Sequence, residues 1–213
     1  MTDRNLIFSG PMVRALLEGR KTQTRRLLRI LGDNVFSEFG VSDTAGYDWC
    51  FRDEDLRWHE LWNDELLKRL RHQTGDRIWV REAFSGFYFL RYLPPRDWPL
   101  GPIWYWADGN PADNNWTRPK PSIHMPRWAS RLTLIVTDVR VQRLHDISEE
   151  DARAEGIFTP EIGYVNLGKK APVIQYAMLW NSLHGPDAWD SNPWVSAITF
   201  TVHHGNIDQM RAA

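Results

Sequence analysis

Residues 19–26 read Gly-Arg-Lys-Thr-Gln-Thr-Arg-Arg, placing an amine (Lys21), two hydroxyls (Thr22, Thr24) and three guanidiniums (Arg20, Arg25, Arg26) side by side. A nucleophile, a proton carrier and an anion binder are all available in that stretch. No acidic residue occurs from Gly19 to Gly32, so the basic charge has no local partner. A threonine hydroxyl is a weak nucleophile until a base within hydrogen-bond reach takes its proton. Lysine serves as that base once desolvation or neighbouring cations lower its pKa; kept charged, it stabilises a developing oxyanion instead. Both roles stay open for Lys21. The competing reading of the whole stretch is a solvated, basic strand edge.

A carboxylate would complete a reacting set. Glu155 ends a short helix immediately before Gly156, where a negative charge opposes the helix dipole by about 0.3–1 kcal/mol. Pairing with Lys21 or with a ligand amine would offset that cost. Glu82, directly after Trp79-Val80-Arg81, is the competing carboxylate, and an ion pair with Arg81 or another arginine is its simpler use.

Other chemistries lack their residues. There is no Gly-x-Gly-x-x-Gly, no Gly-x-x-x-x-Gly-Lys-Ser/Thr and no Gly-x-Ser-x-Gly, so dinucleotide, P-loop and serine-elbow sites have no support. None of the seven histidines pairs at the i, i+4 spacing of a helical zinc site, and Cys50 is the sole cysteine. No metal and no cofactor are expected.

The positioning elements follow from the pattern of apolar residues. Residues 6–8 read as a strand, and Pro11 suits the first turn of a helix carrying Met12, Val13, Leu16 and Leu17 to a stop at Gly19. A strand follows over residues 22–28. In a regular strand 22, 24 and 26 share one face and 21, 23 and 25 the other. Lys21 and Thr24 therefore converge only if Lys21 lies in the turn before the strand. Residues 30–72 read as an insertion with its own helix over 55–70 (Leu56, Leu61, Leu66, Leu67). Thr74-Gly75-Asp76 is a turn, and residues 77–81 alternate as a half-buried strand. A second insertion spans 84–125, where segments rich in Pro, Asn and Asp flank a strand at 103–107 and form a candidate lid.

Residues 132–136 and 139–143 read as two strands. Ser148 caps a helix with acids in its first turn that stops at Gly156. Residues 173–183 form a further helix, with Ile174, Ala177, Met178 and Leu183 on its buried side, and 194–202 a closing strand. Strands with peripheral helices, without βαβ alternation, predict an α+β fold arranged as a small mixed barrel. With 213 residues the chain is expected to be one domain.

A net charge of −1 argues against a surface that grips nucleic acid throughout, though not against a local basic cleft. The lone cysteine and the absence of a signal pattern or an apolar membrane span point to a cytoplasmic protein. The twelve tryptophans are the compositional outlier; most are expected in the core, and the remainder could stack on a flat ligand.

Gly19, Lys21, Thr24 and Arg26 resemble the Gly-x-Lys-x-x-Glu-x-Arg signature of the ASCH family, small PUA-like barrels associated with RNA, with Thr24 in place of the family's glutamate. That departure is similar to the family's bacterial N4-acetylcytidine amidohydrolases, whose motif is Gly-Arg-Lys-Thr-x-Thr. The Thr74-Gly75-Asp76 turn is similar too. Longer ASCH proteins of phages and prophages resemble the whole chain. The resemblance covers residues 4–29, 73–83, 130–157 and 194–202, and leaves out the insertions at 30–72 and 84–125. It implies a PUA-like fold and an amidohydrolase acting on the N4-acyl group of cytidine, with Lys21, Thr24 and Glu155 as the catalytic set. Arg26, Arg20, Trp79, Glu82 and Trp106 are then candidates for holding the substrate. The implied partner is a modified cytidine nucleoside or RNA, with no membrane and no obligate protein partner. RNA binding without turnover, or ribonuclease activity, is the alternative.

Overall fold

The computed structural model describes residues 2–30, 37–157 and 171–210. Strand β1 (Asp3–Ile7) leads through Ser9 into helix α1 (Gly10–Leu17), with Pro11 in its first turn. Gly19 takes φ +71°, a left-handed conformation suited to glycine. The chain then doubles back, and the Ala15 carbonyl accepts from the backbone N–H groups of both Arg20 (2.9 Å) and Lys21 (3.0 Å). Lys21 thus lies in the turn, ahead of β2 (Gln23–Leu27).

The first insertion differs from its expected form. It holds an antiparallel three-stranded sheet, β3 (Glu38–Val41), β4 (Trp49–Arg52) and β5 (Trp58–Leu61), before a short helix α2 (Asn63–Arg69). The helix expected over 55–70 loses its first half because Asp53 organises a turn, accepting from the Arg57 backbone at 2.9 Å, with Leu56 at φ +63°. Period-two burial then puts Leu61 into the core, while the His59 ring stacks on buried Phe51 at 4.8 Å.

Strand β6 (Arg77–Arg81) forms as expected. In the second insertion β7 (Phe84–Ser85) pairs with β8 (Trp104–Tyr105), a shorter strand than 103–107 because Trp106–Asp108 tighten into a 3-10 turn. The two strands expected at 132–143 are one, β9 (Leu132–Arg143). Thr199 pairs with Asp138 and Phe200 with Val136, so Thr137 is the extra residue of a bulge that bends the strand without ending it. Helix α3 (Glu149–Ala154) is capped by the Ser148 side chain, which accepts from the Asp151 N–H. Helix α4 (Ala171–His184) and strand β10 (Trp194–His204) complete the chain.

The burial of α4 is a correction. Tyr176 and Trp180 are buried, whereas Met178 and Leu183, expected inside, are 62% and 57% exposed. The larger aromatic pair, one turn apart, takes the inner stripe and packs with Leu144, Ile147 and Val195.

The main sheet has the order β1-β6-β9-β10-β2, with β1 parallel to β6 and the other pairings antiparallel. The fold is α+β, and the expected barrel does not close. The two edge strands are β1 and β2, and a side chain spans them: the Arg26 guanidinium on β2 donates to the Ile7 carbonyl on β1 at 3.1 Å. Arg26 also lies over the Phe8 ring, 5.4 Å from its centroid. These side chains occupy the gap where a backbone ladder would have to form. The principal core, from Val13 and Leu16 to Leu134 and Phe200, packs inside the curl of this sheet.

Candidate active site

The gap between the edge strands opens into a cavity of about 350 Å³. Lys21, Thr24, Arg26 and Glu155 all line it, together with Arg25, Phe8, Tyr176 and Trp180. Lys21 is delivered by the turn after α1, Thr24 by β2, and Glu155 by the C-terminal cap of α3. Their meeting depends on backbone pairing: Lys21 and Glu155 form an isolated antiparallel bridge, and the Thr22 N–H donates to Ala154 O at 2.8 Å. Thr24 and Arg26 project from one face of β2 and Arg25 from the other, and all three line the cavity at this edge strand.

Lys21 is 1% exposed and Glu155 3%. The Lys21 ammonium donates to Glu155 Oε2 at 2.7 Å, and to the carbonyls of Gln23 and Glu155 at 2.8 Å each. Arg25, equally buried, donates to Glu155 Oε1 at 3.1 Å, to Gln23 Oε1 at 2.6 Å and to Asp151 Oδ2 at 2.8 Å. Tyr176 adds a long bond from its hydroxyl to Glu155 Oε1, 3.4 Å. One carboxylate thus takes bonds from an ammonium, a guanidinium and a phenol. Burial pushes the Lys21 pKa below its ordinary 10.5; Glu155 opposes that shift, while Arg26 and Arg25 reinforce it. Burial, then the Glu155 charge, pushes the Tyr176 phenol well above its usual range.

The Thr24 hydroxyl, 3% exposed, makes no hydrogen bond among the described residues. It is therefore not held by Lys21 in this state and is available to a ligand. Two further buried donors at the cavity are unpartnered among the described residues, Arg25 Nε and Trp180 Nε1.

The other sequence candidates lie elsewhere. Arg20 pairs with Glu18 and donates to the Gly156 carbonyl at 3.0 Å, beside but not within the cavity lining. Glu82 is gripped by Arg131 at 2.9 and 3.0 Å, and Arg131 also holds Asp108; burial raises the Glu82 pKa against that pull. The Glu82 partner is thus a distant arginine rather than Arg81. Trp79 is a buried sheet residue under the Arg81 guanidinium, and Trp106 donates to Ser85 Oγ at 2.8 Å; neither lines the cavity. Sequence reasoning missed Tyr176 and Trp180 as cavity residues, because an aromatic pair in an apolar helix carries no mark of a site. Strand alternation did hold a signal for Arg25, which shares the face of residues 21 and 23.

Fold and site define an α+β protein with an open, curled five-stranded sheet and a buried lysine–glutamate–arginine cluster in the gap between its edges. No protein-family model matches the chain, and no curated protein does. Among solved structures it is similar to protein EF3133 from Enterococcus faecalis V583, of family DUF984, with a TM-score of 0.41 and 10% identity over 100% of this chain and 86% of that one. Among the described residues, no helix is long and apolar enough to cross a membrane, and no group of three or more His, Cys, Asp or Glu is placed to hold a metal ion.

Proposed function

We propose that this chain is an ASCH-type amidohydrolase with a PUA-like fold, removing the N4-acyl group from N4-acetylcytidine or a related cytosine nucleoside. The observation that carries the reading is the buried Lys21–Glu155 pair in the same cavity as the unengaged Thr24 hydroxyl. A buried ion pair at 2.7 Å has a neutral tautomer in which the proton has moved from Lys21 to Glu155.

From the neutral pair, Thr24 Oγ attacks the acyl carbon and its proton passes to the Lys21 amine. Glu155 then gives its proton to N4, the C–N4 bond breaks, and cytidine leaves with a free amine. Water attacks the threonyl ester and returns a proton to Glu155. Collapse releases the carboxylic acid, and Thr24 takes its proton back from Lys21. Tyr176 and Trp180 flank the cytosine ring, and the unpartnered Trp180 and Arg25 N–H groups meet carbonyl oxygens of the ligand.

The test is hydrolysis of N4-acetylcytidine by wild type, Lys21→Ala, Thr24→Ala and Glu155→Ala. Each variant is expected to lose at least about 10²-fold in kcat. Full activity in Thr24→Ala would remove the covalent step, and an inert wild type would remove the substrate class.

A further inference from the structure

A second cavity, of about 290 Å³, adjoins the first and shares Arg26 and His184 with it. Its lining includes Arg26, Arg29, Arg71, His72, His184 and Ser196, and no carboxylate. The isolated bridge between Ile30 and Leu70 sets the chain at Arg29 beside the chain at Arg71, so two remote segments supply charge of one sign. Neither Arg29 nor Arg71 has a hydrogen bond or an ion pair among the described residues. That separates them from Arg25, Arg57, Arg77, Arg127 and Arg131, each of which holds a carboxylate. His72 is 5% exposed, and its Nδ1 has no partner among the described residues.

Clustered cations with no counter-charge, around a buried imidazole nitrogen without a partner, are the complement of an anion with several acceptor oxygens. Guanidinium forks match phosphate geometry in particular. We infer that this cavity binds a phosphate group, so that the preferred ligand is a cytosine nucleotide rather than a nucleoside. Its base occupies the first cavity and its phosphate the second, with Arg26 between them. The assignment of the base rests on the amidohydrolase reading; that of the phosphate rests on the second cavity alone.

His72 also provides a probe. Burial, with Arg71, Arg4 and Arg26 behind it and only Asp76 opposing, pushes its pKa down to about 4. A bound phosphate would raise that value, which is readable from the imidazole NMR signal as a function of pH.

The experiment is calorimetric titration of the full chain with cytidine, cytidine 5′-monophosphate, inorganic phosphate and a short oligocytidylate. It is paired with hydrolysis of N4-acetylcytidine and of its 5′-monophosphate. The monophosphate is expected to bind about 10–100-fold more tightly than cytidine, with a preference that shrinks as salt rises. In Arg29→Ala/Arg71→Ala, two exposed positions whose loss leaves the core intact, the preference should fall toward one and the phosphate-induced His72 shift should shrink with it. Equal binding of cytidine and its monophosphate, or a preference unchanged in the double variant, would overturn the subsite. Far tighter binding of the oligocytidylate than of the monophosphate would assign the phosphate to an RNA chain and overturn the free nucleotide. Phosphate binding without hydrolysis of either substrate would sink the amidohydrolase reading alone, and nucleoside hydrolysis without phosphate binding would sink the subsite alone.

Discussion

Lys21 Nζ and Glu155 Oε2 meet at 2.7 Å although 134 residues separate them in the chain. Both are buried, and Arg25 holds the other carboxylate oxygen at 3.1 Å. Asp151 also accepts from Arg25 at 2.8 Å, so Lys21 is the cation whose counter-charge among the described residues is Glu155 alone.

Glu155→Ala is therefore expected to destabilise the fold by about 3–5 kcal/mol, the usual cost of leaving buried charge unpaired. Urea unfolding at neutral pH measures it. A loss below about 1 kcal/mol, as for exposed pairs, would mean that water reaches the cluster.

The lowered Lys21 pKa sets a pH dependence of rate. The reacting pair carries one shared proton, which Glu155 must give to N4, so kcat/KM should fall as pH rises through an inflection below the ordinary lysine value of 10.5, where that proton is lost. Lys21→Arg should remove this limb, because a guanidinium does not titrate there. A rate that rises with pH in the wild type would instead mean that the active pair has already lost its proton, and would remove Glu155 as the acid.

His72 sets a pH dependence of stability. Its pKa is about 4 in the folded chain against 6.5 ordinarily, so between those values the unfolded chain binds more protons and stability rises with pH. As pH falls from 6.5 to 4, at most about 3 kcal/mol should be lost, and below that range the His72 contribution to the slope vanishes. Urea unfolding of wild type and His72→Asn in phosphate-free buffer checks this; parallel curves for the two chains would refute it.

Gly156 follows Glu155 at φ +86°, and a Cβ there would lie 2.8 Å from Ala15 Cβ and 3.0 Å from Lys21 Cβ. Gly156→Ala combines left-handed strain with a clash against the lysine stem, for an expected cost of about 1–3 kcal/mol. It should lower kcat as well, because Lys21 is pushed off Glu155. Adding Ala15→Gly removes the 2.8 Å contact but neither the 3.0 Å contact with Lys21 nor the strain, so partial rescue is the expected result of a kinetic and thermal comparison.

Much of the frame was legible because short-range rules govern it. Pro11 and Gly19 bracket α1, alternation marks β6, and Ser148 caps α3. The misread parts are those where tertiary packing outweighs local preference. Leu61 of β5 belongs to the leucine set that reads as one helix with Leu56, Leu66 and Leu67, yet the Asp53 turn and the stacking of His59 on Phe51 of β4 draw residues 58–61 into a sheet. Met178 and Leu183 satisfy a helical period, but Tyr176 and Trp180 bury more apolar area and take the inner face of α4.

The sequence by itself determined that an amine, a hydroxyl and a group of guanidiniums stand together at residues 20–26, and that Lys21 must sit in a turn to join them. Both follow from composition and from the period of two in a strand. Only the tertiary structure decided which carboxylate answers that charge. Glu155 does so because the end of α3 pairs with the turn before β2, whereas Glu82 is already neutralised by Arg131. Charge pairing is settled by distance in space, and no local rule carries that distance along the chain.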